Sequence, residues 1–292
     1  MVHVPVMVDE VREQLAPARG GIFVDCTIGL GGHAQALLEA GASRLIGLDR
    51  DQTALSMARE RLMNYGARVE LVHADFRDLG AVLDARGIGG VDGVLADLGV
   101  SSLQLDSPGR GFSFRRDEAL DMRMDASSGV TAADAIAAAD ERTLADVIYR
   151  FGEERYARRV ARAIVAARAR GAIQTTGQLA DIVRRAVPRR GHMRIDPATR
   201  TFQAVRIWIN HELDGLDGFL ARTVERLNVA GRLAVMTFHS LEDRIVKHTL
   251  RSLQAAGGLT VLTKRPVVPS AAEIERNPRA RSAKLRAAER VQ

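Results

Sequence analysis

Four short apolar segments in the first hundred residues each lead into an aspartate. They run over 22–25, 45–49, 69–72 and 91–97, and they lead into Asp25, Asp49, Asp75 and Asp97. Between them, apolar residues recur at spacings of three and four, as at Leu55, Ala58 and Leu62, which predicts helices. This alternation of strands and helices predicts an α/β protein with a doubly wound, mostly parallel sheet.

The alternation stops after the fourth predicted strand. Residues 104–206 show helical patterns and loops, and strand patterns return only at 232–238 and 259–262. We therefore expect one domain built from 1–103 and 207–292, interrupted by an inserted all-helical domain over 104–206. An insertion after the carboxyl end of a strand lies beside the ligand crevice of such a sheet, so it is expected to recognise the substrate.

Charge is unevenly distributed along the chain, whose net charge is +6. Residues 1–103 hold 9 basic and 14 acidic side chains, a net of −5, whereas 104–209 hold 19 and 13, a net of +6. The densest basic stretch runs from Arg150 to Arg206, and the tail from Lys264 onward is basic and expected to be partly extended. Arginine binds phosphate with two hydrogen bonds, which favours a nucleic acid partner. A general preference for arginine over lysine is the competing explanation.

Composition excludes several classes of protein. The chain is 46% hydrophobic, which allows a full core, and it has no run of about 20 apolar residues that could form a transmembrane helix. Early acidic residues argue against a signal peptide. The single cysteine, Cys26, excludes an internal disulfide and fits a reducing cytoplasm. The seven histidines show no ligand spacing with it, so we expect no metal.

A glycine-rich turn follows the first strand. Gly29, Gly31 and the neighbouring Gly32 allow a ligand to approach the backbone, and amide N–H groups point out of the helix that begins there. Asp49 lies twenty residues after Gly29, where an acid accepts hydrogen bonds from ribose hydroxyls. Gly29, Gly31 and Ala34 also match the dinucleotide pattern, so this turn alone leaves an NAD-dependent dehydrogenase open.

The aspartates favour a different cofactor. Asp25 would repel a pyrophosphate at the mouth of the turn and would attract a cationic amino-acid group. Asp75 and Phe76 offer an acceptor and an aromatic face for an adenine, and Asp97 lies where a methyl group would be delivered. Each acid alone is more commonly a helix cap. Four in register favour S-adenosylmethionine, whose sulfonium and ammonium groups are positive.

Seven blocks of the sequence resemble one known family. The blocks are 25–33, 97–106, 110–114, 120–125, 197–206, 238–244 and 277–282, and the resemblance begins at residues 3–6. The family is RsmH, also called MraW, which comprises bacterial S-adenosylmethionine-dependent cytosine-N4 methyltransferases of small-subunit ribosomal RNA. The resemblance implies a Rossmann-like methyltransferase sheet.

The resemblance also implies a site, a substrate and a partner. The target would be a cytidine in the decoding region of 16S ribosomal RNA, within the cytoplasm, recognised through the inserted domain; a homodimer stays open. Cofactor contacts would fall at Gly31, Gly32, His33, Asp49, Phe76, Asp97 and Gln104.

Asp97 is our hypothesis for the catalytic residue, as the acceptor of an N–H hydrogen bond from the cytosine amine. Related amino-methyltransferases have prolines after this position, whereas residues 98–101 here read Leu-Gly-Val-Ser. His239, Ser240 and Asp243 follow the fifth strand too closely in sequence for a catalytic triad, and we interpret them as the floor of the site. A non-catalytic RNA-binding assembly factor is the remaining alternative.

Overall fold

The structure is a computed structural model that describes residues 5–188 and 195–292. Residues 3 and 4, where the family resemblance begins, and Arg189, Arg190 and Arg194 of the arginine-rich stretch lie outside the described residues. The chain divides into two compact units. Met1–Gly99 and Leu213–Gln292 form the sheet unit, and Val100–Glu212 forms the helical unit, for which the sequence analysis expected 104–206.

Seven strands of the described residues form a single sheet in the sheet unit. Its order is β3-β2-β1-β4-β5-β7-β6, with β7 antiparallel to both of its neighbours and all other pairs parallel. The strands are β1 (Ile22–Asp25), β2 (Arg44–Asp49), β3 (Val69–His73), β4 (Val91–Asp97), β5 (Leu227–Thr237), β6 (Leu259–Val261) and β7 (Lys284–Arg290).

Alternate residues of the central strands enter two different cores. In β4, Val94 and Ala96 face one core, whereas Leu95 faces the other. Successive side chains of a strand point to opposite faces, so a strand that is apolar throughout must be covered on both sides. Phe219 on one face and Leu37 on the other belong to helices that provide this cover. The predicted doubly wound, mostly parallel sheet is confirmed.

Several helices of the sheet unit begin at polar caps or glycines. Asp51 accepts the N–H of Thr53 at 3.0 Å and so begins α3, while Gly31 precedes α2 in a left-handed conformation. The helices are α1 (Val8–Leu15), α2 (Gly32–Glu39), α3 (Gln52–Leu62), α4 (Leu79–Asp84), α11 (Leu216–Glu225), α12 (Ser240–Ala255) and α13 (Ala271–Arg276), with 3₁₀ turns at Pro17–Arg19, Met63–Arg68, Phe76–Asp78 and Pro278–Ser282.

The helical unit has a core of its own. The apolar stripes that the sequence predicts are buried there, for example Leu144 and Ile148 of one helix and Val160 and Ile164 of the next. Within the described residues its β-structure is an isolated bridge between Ala119 and Thr175. Its helices are α5 (Ser102–Asp106), α6 (Ala132–Ala138), α7 (Glu141–Gly152), α8 (Ala157–Arg168), α9 (Thr176–Ala186) and α10 (Ala198–Asn210).

The C-terminal tail differs most from the expectation. Sequence patterns indicate only a partly extended segment after Lys264, but Lys284–Arg290 forms β7, which lies between β5 and β6. Its apolar residues, including Leu285 and Ala287, are buried by neighbouring strands. Across the described residues, each helix is too short or too polar to cross a membrane.

Candidate active site

The strand order places a crevice at the carboxyl ends of β1 and β4. The chain passes from β1 outward through β2 to β3, and then returns to pair β4 on the other side of β1. At such a switch point the following loops diverge and leave room for a ligand. Asp25 ends β1 and Asp97 ends β4, and Asp25 lies opposite Leu95 in the strand pairing. Both predicted acids therefore lie at the same edge of the sheet.

The glycine turn is shaped for close backbone approach. Gly29 and Gly31 have φ angles of 51° and 76°, in the left-handed region that glycine adopts most readily. At Gly32, an added Cβ would lie 2.4 Å from Cγ of Pro5. These three glycines therefore serve different purposes. Two allow the turn, and Gly32 allows the chain before α1 to pack against the start of α2.

Asp25 is buried at the base of the turn, with 1% of its surface exposed. Its Oδ1 accepts hydrogen bonds from the backbone N–H of Thr27 at 3.1 Å and from the Thr27 hydroxyl at 3.5 Å. Burial nevertheless raises its pKa from 3.8 to about 7, and the nearby charge of Asp49 acts in the same direction. A buried carboxylate with a raised pKa is one that a positive ligand would stabilise in its ionised form.

Asp49 fixes the turn and still has capacity to bind a ligand. Its Oδ2 accepts the N–H of Gly29 at 2.8 Å, and its Oδ1 accepts the N–H of Asp51 at 2.9 Å. Burial raises its pKa above the ordinary value despite these bonds. The backbone N–H of Arg50 also donates to Asp49, so about one of the four acceptor positions of this carboxylate remains for a ribose hydroxyl.

Asp97 ends β4 with its side chain 26% exposed. Its backbone N–H donates to the Thr27 hydroxyl at 2.7 Å, so Thr27 joins the ends of β1 and β4. Oδ2 of Asp97 lies 3.7 Å from Nε2 of His33, a buried residue in the first turn of α2. Oδ1 is buried and has no hydrogen-bond partner within the ranges that the structure describes.

The surroundings of Asp97 are strongly acidic. Burial raises its pKa from 3.8 to about 8, and the charges of Asp25 and Glu242 contribute to the rise. Glu242 is 1% exposed in the first turn of α12, and its Oε2 accepts the N–H of Phe238 at 2.9 Å. The sequence analysis did not select Glu242 or Thr27. An acidic residue at the third position of a helix is ordinarily a cap, and its approach to Asp97 depends on the pairing of β4 with β5.

The block after β5 does not form a triad. His239 caps α12 and lies 3.1 Å from Oε1 of Glu242 through its Nε2. Asp243 instead forms ion pairs with Arg286 at 2.7 Å and Lys284 at 3.0 Å, both on β7. Burial opposes ionisation of Asp243, but these two partners hold its pKa below the ordinary value. Asp243 is therefore committed to the packing of α12 on β7.

The prediction that all four strand-end acids contribute equally to a negative crevice is wrong for Asp75. It follows β3 and forms ion pairs with Arg77 at 2.7 Å and with Arg50 at 3.2 Å. Burial favours its neutral form, but hydrogen bonds from Arg77 and the two positive charges hold its pKa below the ordinary value. Since two arginines already compensate it, Asp75 adds little to the negative potential of the crevice.

Phe76 and Gln104 are the remaining predicted cofactor residues. Phe76 is 9% exposed, and its ring packs edge-on against Phe219 with centroids 4.8 Å apart, so the core holds its orientation. Gln104 belongs to the helical unit. There its Oε1 accepts the N–H of Ser101 at 3.1 Å and completes the capping box of α5. Gly31, Gly32, His33, Asp49, Phe76 and Asp97 all belong to the sheet unit, and their role in binding a cofactor stays a prediction.

A doubly wound sheet with an acidic crevice at its switch point defines a class of α/β enzymes that bind a nucleoside cofactor. Comparison with known proteins gives the family. The family model described as "MraW methylase family" matches residues 1–291, so the chain belongs to this family of methyltransferases. The resemblance read from the seven blocks is confirmed, as are the fold class and an S-adenosylmethionine-dependent methyltransferase activity.

Individual relatives agree with the family. Ribosomal RNA small subunit methyltransferase H of Nitrobacter winogradskyi is 51% identical, with 99% of this chain and 91% of the relative covered. The protein of the same name from Geotalea uraniireducens is 49% identical over 99% and 98%. Among solved structures, an rRNA methylase from Streptococcus thermophilus aligns over 98% of this chain and 94% of its own, at 14% identity and a TM-score of 0.43.

Proposed function

We propose that this chain transfers a methyl group from S-adenosylmethionine to the exocyclic N4 of a cytidine in the decoding region of 16S ribosomal RNA, in the cytoplasm. Relatives about half identical over nearly the whole chain are named ribosomal RNA small subunit methyltransferase H, which supports the choice of small-subunit RNA. The nucleotide and the N4 position rest on the resemblance of the seven sequence blocks.

The observation that carries the proposal is the pair of carboxylates at the switch point, of which Asp25 is buried and Asp97 is partly buried. Asp25 and Asp97 have raised pKa values because burial is not compensated by a cationic side chain, in contrast to Asp75. Keeping these carboxylates ionised is unfavourable unless a ligand compensates their negative charge. A ligand with a sulfonium and an ammonium group would do so, whereas the pyrophosphate of NAD would be repelled.

The residues present fit this cofactor. Asp49 keeps about one acceptor position for a ribose hydroxyl after accepting its three backbone hydrogen bonds. The buried Oδ1 of Asp97 lacks a hydrogen-bond partner in the described parts of the chain, and the turn at Gly31 exposes backbone to a ligand. When bound, S-adenosylmethionine supplies an electrophilic methyl group on sulfur.

Within this chain, Asp97 has the chemistry that amine methylation requires. The cytosine amine is a poor nucleophile because its lone pair is delocalised into the ring. A carboxylate that accepts one of its N–H hydrogen bonds favours the pyramidal amine and offsets the positive charge that develops on nitrogen. The Thr27 hydroxyl holds the backbone of Asp97 at 2.7 Å, which limits the movement of this carboxylate. An exocyclic amine reaches such a crevice only after its base is unstacked.

The helical unit is proposed as the RNA-recognition element. Residues 155–170 contain six arginines and no acidic residue. Arg158, Arg159 and Arg162 of α8 are exposed, whereas Val160 and Ile164 face the core. This arrangement presents cations at the spacing of one helical turn, which suits contacts to phosphates.

A homodimer stays a prediction, which light scattering on the purified protein tests.

Transfer of labelled methyl groups tests the proposed function. Small ribosomal subunits, free 16S RNA and DNA are incubated with the protein and labelled S-adenosylmethionine, and the products are digested to nucleosides. We expect the label on N4-methylcytidine from small-subunit RNA. Label on another nucleoside would contradict the N4 assignment. The absence of transfer, with intact binding of RNA, would favour a non-catalytic assembly factor.

A further inference from the structure

The amino end of β7 lies at the same edge of the sheet as the candidate active site. Lys284, its first residue, is opposite Thr237 at the carboxyl end of β5. Met236 is opposite Asp97 on one side and Leu285 on the other. Two strand spacings therefore separate β7 from the end of β4, a distance of about 10 Å. Because β7 is antiparallel, the segment that precedes it enters from the ligand edge.

That segment, residues 276–284, is strongly basic, and we call it the basic loop. It contains Arg276, Arg279, Arg281 and Lys284, and the next acidic residue after it is Glu289. The three arginines are exposed. Residues 277–282 of this loop form one of the seven blocks that resemble the family, and they lie outside the cofactor residues of the proposed function.

Packing holds the backbone of the basic loop in place. Ala280 and Ala283 are 0% and 1% exposed in the core of the sheet unit, between arginines that face outward. Asn277 caps the 3₁₀ turn by accepting the N–H of Arg279 at 3.3 Å. Val267 and Leu285 exchange two backbone hydrogen bonds of 2.9 Å just beyond it. The cations are thus carried on a fixed support.

Nearby acids leave a positive surplus on the loop. Asp243 lies between Lys284 and Arg286 and pairs with both. Glu273 of α13 accepts the backbone N–H of Met7 at 2.6 Å, and Glu275 is exposed on the same helix. Counting Arg276, Arg279, Arg281, Lys284 and Arg286 against these three acids gives 5 − 3, a net charge of +2.

An acidic crevice that acts on a polyanion needs positive charge nearby. Asp25, Asp97 and Glu242 favour a cationic cofactor, but the same charges repel the phosphates that flank a target nucleotide. Screening limits this interaction to about 10 Å at 0.1 M salt, so distant cations do not offset it. Leu285, the residue directly after the basic loop, lies within about that distance of Asp97 by strand spacing, so the loop joins β7 beside the crevice.

We propose that the basic loop is a phosphate clamp, in which Arg279 and Arg281 bind the RNA backbone next to the target nucleotide. The inference rests on the proposed function, because it takes the substrate strand to be RNA. It assigns to the sheet unit a contact with the substrate, in addition to contacts made by the helical unit.

The test compares a double variant, Arg279→Gln with Arg281→Gln, with wild type in methyl transfer to small subunits. We expect KM for the RNA substrate to rise about tenfold or more, and the slope of log affinity against log salt to decrease by about 2, one for each lost phosphate contact. Calorimetry should give an unchanged Kd for S-adenosylmethionine. The Lys double variant, Arg279→Lys with Arg281→Lys, should retain most of the wild-type salt slope.

Arg222→Gln with Arg251→Gln is the matched control. Both arginines are exposed, but they lie near the carboxyl ends of α11 and α12, toward the amino end of β5 and away from the crevice. A clamp variant with the same KM and salt slope as this control would overturn the clamp. So would an equal loss of S-adenosylmethionine affinity, which would make the loop a support of the cofactor site. If wild type itself transfers no methyl to RNA, the proposed function fails instead.

Discussion

At the scale of single residues, neighbours decide what each strand-end acid can do. Asp75 is compensated by two arginines, whereas the buried Asp25 and the partly buried Asp97 lie beside other acids. The same residue type at equivalent positions thus has opposite pKa shifts. Thr27 adds a constraint, since its hydroxyl bonds the backbone of Asp97 while it also faces Asp25.

Substitutions of Asp97 are expected to lower kcat without lowering the free energy of unfolding. For Asp97→Ala and Asp97→Asn we expect kcat to fall about 10²–10³-fold, because the acceptor for the amine is lost. At pH 7, below its folded pKa of about 8, Asp97 must take up a proton that the unfolded chain has released. The neutral amide avoids this, so the free energy of unfolding of Asp97→Asn should be unchanged or higher.

Labelled-methyl kinetics and urea unfolding measure these two quantities, and calorimetry reports cofactor affinity separately. Asp217→Asn, an exposed carboxylate on α11, is the control. Turnover near the wild-type value in both Asp97 variants would remove Asp97 from the catalytic role.

The raised pKa values also predict how cofactor binding depends on pH. Near pH 6, Asp25 and Asp97 are largely protonated, since their pKa values are about 7 and about 8. A cationic ligand binds the ionised forms, so binding must release protons at low pH. We expect the affinity for S-adenosylmethionine to rise between pH 6 and 9, by up to about tenfold per unit for each proton released.

S-adenosylhomocysteine is the control for this dependence, because it has the same ammonium and ribose but no sulfonium charge. Its affinity should rise less over the same range. Calorimetry in buffers of different ionisation enthalpy measures the number of protons released. Equal pH profiles for the two ligands would mean that these carboxylates do not sense the sulfonium.

At the scale of elements, the glycine turn can be predicted from the sequence more readily than β7 can. The turn depends on local backbone conformation, which glycine at positions 29 and 31 indicates directly. β7 depends on pairing with β5, which lies about fifty residues earlier in the sequence. Its alternation is interrupted by arginines, one of which, Arg286, is buried only because Asp243 is there to pair with it.

Gly31→Ala tests the turn, with Gly87→Ala as the matched control. Both glycines have positive φ angles, of 76° and 64°, so each substitution should lower the free energy of unfolding by about 1 kcal/mol. A Cβ at Gly31 would lie 3.1 Å from Leu62, whereas nothing lies within 4 Å at Gly87. Only Gly31→Ala should weaken S-adenosylmethionine binding, measured by calorimetry. Equal Kd values in the two variants would contradict a cofactor role for the turn.

At the scale of the whole molecule, the arginine excess divides into structural and exposed groups. Arg184 pairs with Asp196 at 2.9 Å, and Arg206 pairs with Glu212 at 2.8 Å within the helical unit. Arg168 donates to two backbone carbonyls beside α6. Arg158 and Arg159 are exposed on α8 and belong to none of these contacts. Counting arginines in the sequence therefore overestimates the positive surface that is available to RNA.

The exposed Arg158 and Arg159 of α8 are predicted to bind RNA phosphates. Arg158→Gln with Arg159→Gln should raise KM for RNA, leave kcat unchanged and reduce the salt slope by about 2, because phosphate contacts contribute to binding independently of sequence. Filter binding over a range of salt concentrations measures this. The control is Arg222→Gln with Arg251→Gln in the sheet unit. An RNA affinity equal to that of the control would show that these arginines face solvent and do not bind RNA.

The doubly wound sheet, the glycine turn, the strand-end acids and the family could be predicted without coordinates, because each depends on local pattern or on short motifs. Periodicity of two and of 3.6 residues indicates strands and helices without knowledge of their partners. The folded structure was needed to learn which acids are compensated, that the charge of Glu242 acts on Asp97, and that β7 brings the basic loop to the ligand edge. These facts depend on residues far apart in sequence, whose charges interact only after the strands have paired.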